Sequence, residues 1–441
     1  LGRWSRGLGY VYKRQILALT FFEISEAQPL YLFPYWVEST WLPEVPSLPP
    51  KALTTLTRKL GRMESERLEF SKQWVKKLGA VHAVVFDITS LSSYSAFLDY
   101  IEWGYNRDCE QLPQLNLGGI YAEQTNLPLY YRIYPGSISD VSTLKNLVKY
   151  LNLFALQEIL FIMDRGFYSA SNIEHLEQNQ MTFLIPLPMS VKHFSRLRAK
   201  HARHLSNPMN SFRFKDEVLY HIQDSIEINQ VQLQAHLYFD PRCRSEKTTH
   251  FLKKILDIEH ATKQHTFQTQ KEAKQYLSKN FRGASKLFRV TGKAGHIEIT
   301  RKPRTLSRRM ANMGTTIMLT NHPTVEHTRV LELYRHKDYL EKLFDMLKNE
   351  FDGKRLRGST KDTVEGRLFL KFLSLILYSA LSNTMREQHL FKRYSIRELM
   401  YELKKLRIVA MSNDTVYLTE VSKRQRKIFE NFDVTMPSIE T

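Results

Sequence analysis

Two short runs limit the fold of this chain more than any other feature. AVHAVVFD (Ala80 to Asp87) and LQEILFIMD, which ends at Asp164, are almost continuously apolar. Runs of that length without alternation read as strands buried on both faces, and such strands belong to sheets covered by helices. Between them NLGGIYAEQ and LPLYYRIY, joined through Thr125 and Asn126, read as two strands of a hairpin. DVSTLKNLVKYLNLF and SASNIEHLEQN carry helical spacing, and MTFLIPL reads as a further strand. The order β-β-β-α-β-α-β predicts an α/β core, a mixed sheet with flanking helices.

The texture changes on either side of that core. Phe33 to Pro50 holds five prolines and reads as an irregular arm, and Lys51 to Gly79 reads as one long charged helix closed by Gly79. From Ser190 the chain turns basic, and VQLQAHLYF alternates strictly with Val231, Leu233, Ala235, Leu237 and Phe239 on one face. This region reads as a mainly β insertion, with a helix at EKTTHFLKKILDIEH. TTIMLTN returns to the core as a strand, and Ser395 with Glu398 forms a capping box for a helix reaching about Leu406. The segment LGRWSRGLGYVYKRQ resembles translated sequencing-adapter sequence and is set aside. The expected organisation is 1–15 non-native, 16–79 N-terminal arm and helical region, 80–189 first part of the core, 190–314 basic insertion, 315–406 second part of the core and 407–441 tail.

A formal charge of +19 points first to nucleic acid as partner. Two cysteines, Cys109 and Cys243, give neither a disulfide framework nor a zinc pattern, which fits a reducing cytoplasm. FLSLILYSAL (Phe372 to Leu381) is too short to span a bilayer and reads as a buried helix, so no membrane partner is expected.

Asp87 and Asp164 each close a hydrophobic strand. Alone, either could be a turn or helix-cap residue. If the two strands are neighbours, the carboxylates lie a few ångströms apart, and a divalent cation relieves their repulsion. A pair of metals suited to in-line phosphoryl displacement needs a third carboxylate. YRHKDYLEKLFDMLK (Tyr334 to Lys348) offers one: Leu340, Leu343, Phe344 and Leu347 form an apolar stripe, while Tyr334, Lys337, Glu341 and Lys348 share an arc of roughly 60°. A solvated face with an i,i+4 pair between Lys337 and Glu341 is the ordinary explanation. The chemical one makes Glu341 the third metal ligand, with Lys337 and Lys348 on DNA phosphates and Tyr334 on a phosphate or base.

The order Asp87, Asp164, Glu341, with a β insertion before the last, resembles the DDE transposases. The motifs FDIT at Asp87, DRGF at Asp164 and Tyr334-x2-Lys337-x3-Glu341-x6-Lys348 resemble the bacterial insertion-sequence-four-like group, with Lys337 where its signature has Arg. The resemblance runs from about Val81 to Leu406. It implies an RNase H-like core, two Mg2+ or Mn2+ ions held by Asp87, Asp164 and Glu341, and a helical DNA-binding N-terminal region. It also implies terminal inverted-repeat and target DNA as partners, a homodimer in the DNA complex, and a bacterial, nucleoid-associated setting. Water would free a 3′-OH at the element's end, and that hydroxyl would attack target DNA in line. Two alternatives keep parts of this picture: a metal-dependent nuclease without strand transfer, and an inactive DNA-binding remnant of a mobile element.

Overall fold

Burial is complete along all eleven residues of β1 (Ala83–Ser93), as a strand covered on both faces requires. It lies at the centre of a sheet in the computed structural model, which describes residues 9–437 apart from 43–44, 46–47, 96–97, 109, 140, 145, 148–153, 155–158, 350–354, 357, 359 and 411–415. The fold is mixed α/β and divides into two compact units. One comprises residues through Phe167, Gln178–Thr182 and the chain from Glu332; the other comprises Tyr168–Glu177 and Phe183–Leu331.

In the first unit β1 pairs antiparallel with β2 (Gln114–Ala122), and β2 with β3 (Leu127–Pro135). The β2–β3 turn ends on Asn126 at φ 52°, a left-handed conformation that asparagine tolerates. On its other side β1 pairs in parallel with β4 (Leu160–Met163). Three antiparallel strands followed by a parallel fourth, in the order β3-β2-β1-β4, form the mixed sheet. Of the helix expected over DVSTLKNLVKYLNLF, the described residues 141–144 and 146–147 are helical, and most of the rest lie outside the described residues.

The run FLSLILYSAL belongs to a 27-residue helix, Lys361–Glu387, long and apolar enough to cross a membrane. Its apolar character has another cause, because most of it is buried: Tyr131 of β3 meets Phe372, and Leu370 and Leu373 join the core around Phe22, Phe33 and Leu60. The helix Pro50–Arg62 lies against it at very close range. A Cβ on Gly61 would fall 1.8 Å from the Asp362 carbonyl oxygen, and one on Gly366 1.8 Å from that of Thr57. Helix Gly9–Glu26, which includes the last residues of the segment set aside above, also packs on it. Its buried Glu23 accepts from Lys371 and Ser374, and burial raises the Glu23 carboxyl pKa against the pull of that lysine.

The single helix expected from Lys51 to Gly79 is two, Pro50–Arg62 and Glu64–Leu78, parted at Met63 (φ −85°, ψ 60°). Arg67 makes the break tolerable: its guanidinium donates to the Leu60 and Gly61 carbonyls and pairs with Glu365. Gly79 does close the second helix, at φ 80°. Near the end of the chain the Ser395–Glu398 capping box starts Ile396–Leu403 as expected. A hairpin of Ile408–Ala410 with Val416–Leu418 and a helix Lys423–Asn431 follow.

In the second unit β5 (Thr182–Pro186), β6 (Ser211–Phe214), β7 (Glu217–Ile228) and β8 (Val231–Phe239) build a sheet with β11 (Thr315–Thr320), in the order β5-β11-β8-β7-β6. Val231, Leu233, Ala235, Leu237 and Phe239 are all buried, as their alternation predicted. A separate core around Phe251, Ile255, Leu277 and Phe288 joins three helices to a two-strand hairpin, β9 (Phe288–Lys293) with β10 (His296–Arg301).

Candidate active site

The register of β1 on β4 sets the first two carboxylates side by side. Phe86 is opposite Met163 on strands about 4.8 Å apart, and the next residues are Asp87, still in β1, and Asp164, just past the end of β4. One expectation needs correcting here. Asp87 does not end its strand, since β1 continues to Ser93; it is the pairing with β4 that stops at Phe86. The polar stretch after Ile88 stays in the sheet because its side chains find partners, with Ser90 donating to Asn116 and Asn106 to Ser92.

The alternation of β1 decides which face Asp87 takes. Phe86 packs beneath against Phe161 and Phe167. Asp87 pairs across the ladder with Gly119 of β2, and a Cβ there would come within 3.1 Å of the Phe344 ring. The bare glycine thus lets the helix Lys337–Asn349 lie close to the sheet. Leu340, Leu343, Phe344 and Leu347 of that helix are buried, as the apolar stripe predicted.

The polar stripe is less uniform. Tyr334 belongs to the preceding helix, His327–Arg335, because the chain tightens at His336, whose N–H is shared between the Glu332 and Leu333 carbonyls. His336 itself reaches the buried Glu123, at 3.2 Å. Lys337 is buried, with its Nζ 3.1 Å from Asp164 Oδ1 and 2.7 Å from Glu341 Oε1. Those two carboxylate oxygens are therefore no farther apart than the sum of these contacts. Glu341 keeps half of its side chain exposed, at 52%. Lys348 is also buried and pairs with Asp108 at 2.8 Å, so the structure seats both lysines against carboxylates.

The electrostatics centre on Lys337. Burial pushes the Asp87 carboxyl up to about 6, and Asp164 adds to the rise; Lys337, the Ile88 amide and Arg107 oppose it. The Ile88 amide donates to Asp87 Oδ1 at 2.8 Å. Burial acts against the Lys337 charge, but Glu341, Asp164 and Asp87 hold its pKa above the ordinary lysine value. The Tyr334 phenol is raised by burial, against the pull of Lys337, and remains a donor at neutral pH.

Asp87, Asp164 and Glu341 offer hard oxygen donors of the kind Mg2+ and Mn2+ take. Among the described residues no three His, Cys, Asp or Glu side chains enclose an ion as they stand. An ammonium, that of Lys337, already bridges Asp164 and Glu341 and offsets their charge. Sequence reasoning missed Arg107, Asp108 and Gly119. Their roles depend on what lies across the fold, and no local spacing marks them.

A family model for the transposase DDE domain matches residues 82–377, a span that contains all three carboxylates. The chain belongs to the DDE transposase family. Members of this family cut and join DNA and generally depend on divalent metal. Among solved structures the transposase is similar to a piggyBac transposase synaptic complex with hairpin DNA, at 9% identity and a TM-score of 0.37. That match covers 74% of this chain and 52% of the other, so the transposase spans about half the length of that relative. No curated protein matches it.

Proposed function

We propose that this transposase belongs to the insertion-sequence-four-like group, cuts the ends of an insertion sequence and joins the freed 3′-OH to target DNA. The observation that carries this reading is the meeting of Asp164 and Glu341 on one cationic group beside the strand that holds Asp87. Asp87, Asp164 and Glu341 would hold the two Mg2+ or Mn2+ ions. When bound, the ions polarise the scissile phosphate and stabilise charge on the attacking and leaving oxygens.

The chain's own groups do the rest. The ammonium of Lys337 balances the carboxylates until DNA arrives, then offers its charge to a phosphate oxygen beside the cleaved bond. Lys348, released from Asp108, does the same about three helical turns further along the same face, and the Tyr334 hydroxyl donates to phosphate. The apolar packing of Leu340, Leu343, Phe344 and Leu347 fixes the helix, so that Glu341 is presented without a conformational search. Affinity for terminal inverted repeats and target DNA comes from elsewhere. Residues 183–331 hold 26 Lys and Arg against 11 Asp and Glu, a surplus of +15 out of +19 for the whole chain. A homodimer would bring two ends together for synapsis.

The test is incubation with DNA carrying the element's flanking ends and Mg2+, followed by mapping of the cuts and of joined products. Cuts at the ends with joined product support the reading. Cuts without joining would reassign the protein as a nuclease, and DNA binding without cuts would make it an inactive remnant.

A further inference from the structure

The segment between β1 and β2 carries two aromatic rings that the fold leaves uncovered. Trp103 is 68% exposed and Tyr105 72%. Rings this bare are common on mobile loops, but the backbone here is fastened on both sides of them. Glu102 and Gln114 exchange both backbone hydrogen bonds, at 2.9 and 3.0 Å, and Ser137 donates to the Glu102 carboxylate from its amide and its hydroxyl. Between the rings, Gly104 lies so close to Gly136 that a Cβ would fall 2.0 Å from its carbonyl oxygen. Beyond them the Tyr105 carbonyl accepts from Gln114 Nε2 at 2.9 Å, and buried Asn106 donates to Ser92. The same segment then runs into the active site: Arg107 bears on Asp87, and Asp108 holds Lys348.

We propose that Trp103 and Tyr105 form a stacking platform for unpaired nucleobases at the DNA end. This rests on the reading of the site as one that handles DNA ends. Two rings held on a fixed backbone suit bases of any identity, since every base has a π-face. A protein partner fits less well: two aromatic side chains supply about 150–250 Å2 each, far below the roughly 800 Å2 per side of a stable interface. The platform would hold bases freed from pairing while the backbone beside them reaches the carboxylates.

Binding of a fluorescent oligo-dT of about 12 nucleotides, and of a blunt duplex of equal length, measured by anisotropy in chelator, tests this. Wild-type protein, Trp103→Ala, Tyr105→Ala, the double variant and Trp103→Phe are compared, with melting temperature confirming the fold. The expected result is a loss of about tenfold in oligo-dT affinity for each alanine, near-complete rescue by phenylalanine, and duplex affinity within about twofold of wild type. Unchanged oligo-dT binding overturns the platform, as does an equal loss on both probes. A shift from dimer to monomer in the double variant during sedimentation would also overturn it, by making the rings a contact between copies. Failure of wild-type protein to bind either probe would instead remove the DNA-end reading beneath it.

Discussion

A carboxylate raised to about 6 from its ordinary 3.8 makes the metal-free fold less stable than it would be without that charge. The folded state binds the Asp87 proton more tightly than the unfolded chain does. The stability this brings is fully present below about pH 4 and is lost as pH rises through about 6. Two pKa units correspond to about 3 kcal/mol. Asp87→Asn keeps an oxygen to accept from the Ile88 amide and removes the charge. In chelator at pH 8 the variant should therefore be more stable than wild type by about 3 kcal/mol, a rise of roughly 5 °C in melting temperature for the unit that contains it. Near pH 4 the two proteins should melt together.

Scanning calorimetry across that range measures the difference directly, and added Mg2+ should raise the melting temperature of wild type more than that of the variant. A variant less stable than wild type at pH 8, with a gap independent of pH, would refute the reasoning. It would mean that the Asp87 charge is satisfied by Lys337 alone, as in a structural ion pair, and does not wait for a second cation.

Other outcomes follow from the same geometry. Asp164→Asn should abolish cleavage while leaving affinity for DNA ends within about twofold, measured by gel shift, because affinity comes from many cationic contacts. Lys337→Arg should cut at least as fast as wild type, since the guanidinium fork suits both carboxylate and phosphate. Lys337→Glu should not cut, and its slope of log K against log[salt] should fall by about 0.9, as for one lost phosphate contact; wild-type cleavage and slope in that variant would leave the polar stripe a mere ion pair. In the second unit His221 stacks on His327 at 4.6 Å and contacts His236 Nδ1 at 3.1 Å. Burial and these neighbours lower His221 to about 3 and His236 to about 4, so their contribution to stability is present above about 6.5 and lost as pH falls. His221→Phe, compared with wild type by urea unfolding at pH 7 and pH 4.5, should gain relative stability at the lower pH; a constant gap would contradict this.

The parts of the fold visible in the chain were those where local pattern and tertiary demand coincide. AVHAVVFD and LQEILFIMD read as buried strands because they are short, nearly continuous apolar runs, the first rich in valine, and β1 and β4 are buried accordingly. Thr89, Ser90, Ser92 and Ser93 defeated the same logic. The expected strand stops at Asp87, before these polar residues, yet they lie within β1, where Asn106 and Asn116 satisfy two of them from other segments. The long helix after Pro50 was misjudged for a similar reason, since the guanidinium that caps the break at Met63 comes from Arg67, beyond the break itself. Adjacency of Asp87 and Asp164 could be stated only as a condition, because strand order is a non-local property.

The polar stripe of the helix Lys337–Asn349 shows where that boundary falls. Helical spacing placed Lys337 and Glu341 on one face, and they do pair at 2.7 Å, the contact that a solvated i,i+4 pair would also make. A solvated pair leaves its lysine in water. Here the lysine is buried, and the same Nζ serves Asp164 at 3.1 Å, a carboxylate delivered by a strand in another part of the chain. The position needs a cation that two carboxylates can share, and the compact ammonium of lysine supplies it here. The ordinary and the chemical explanations of the stripe thus describe one contact, and only the partner across the fold separates them.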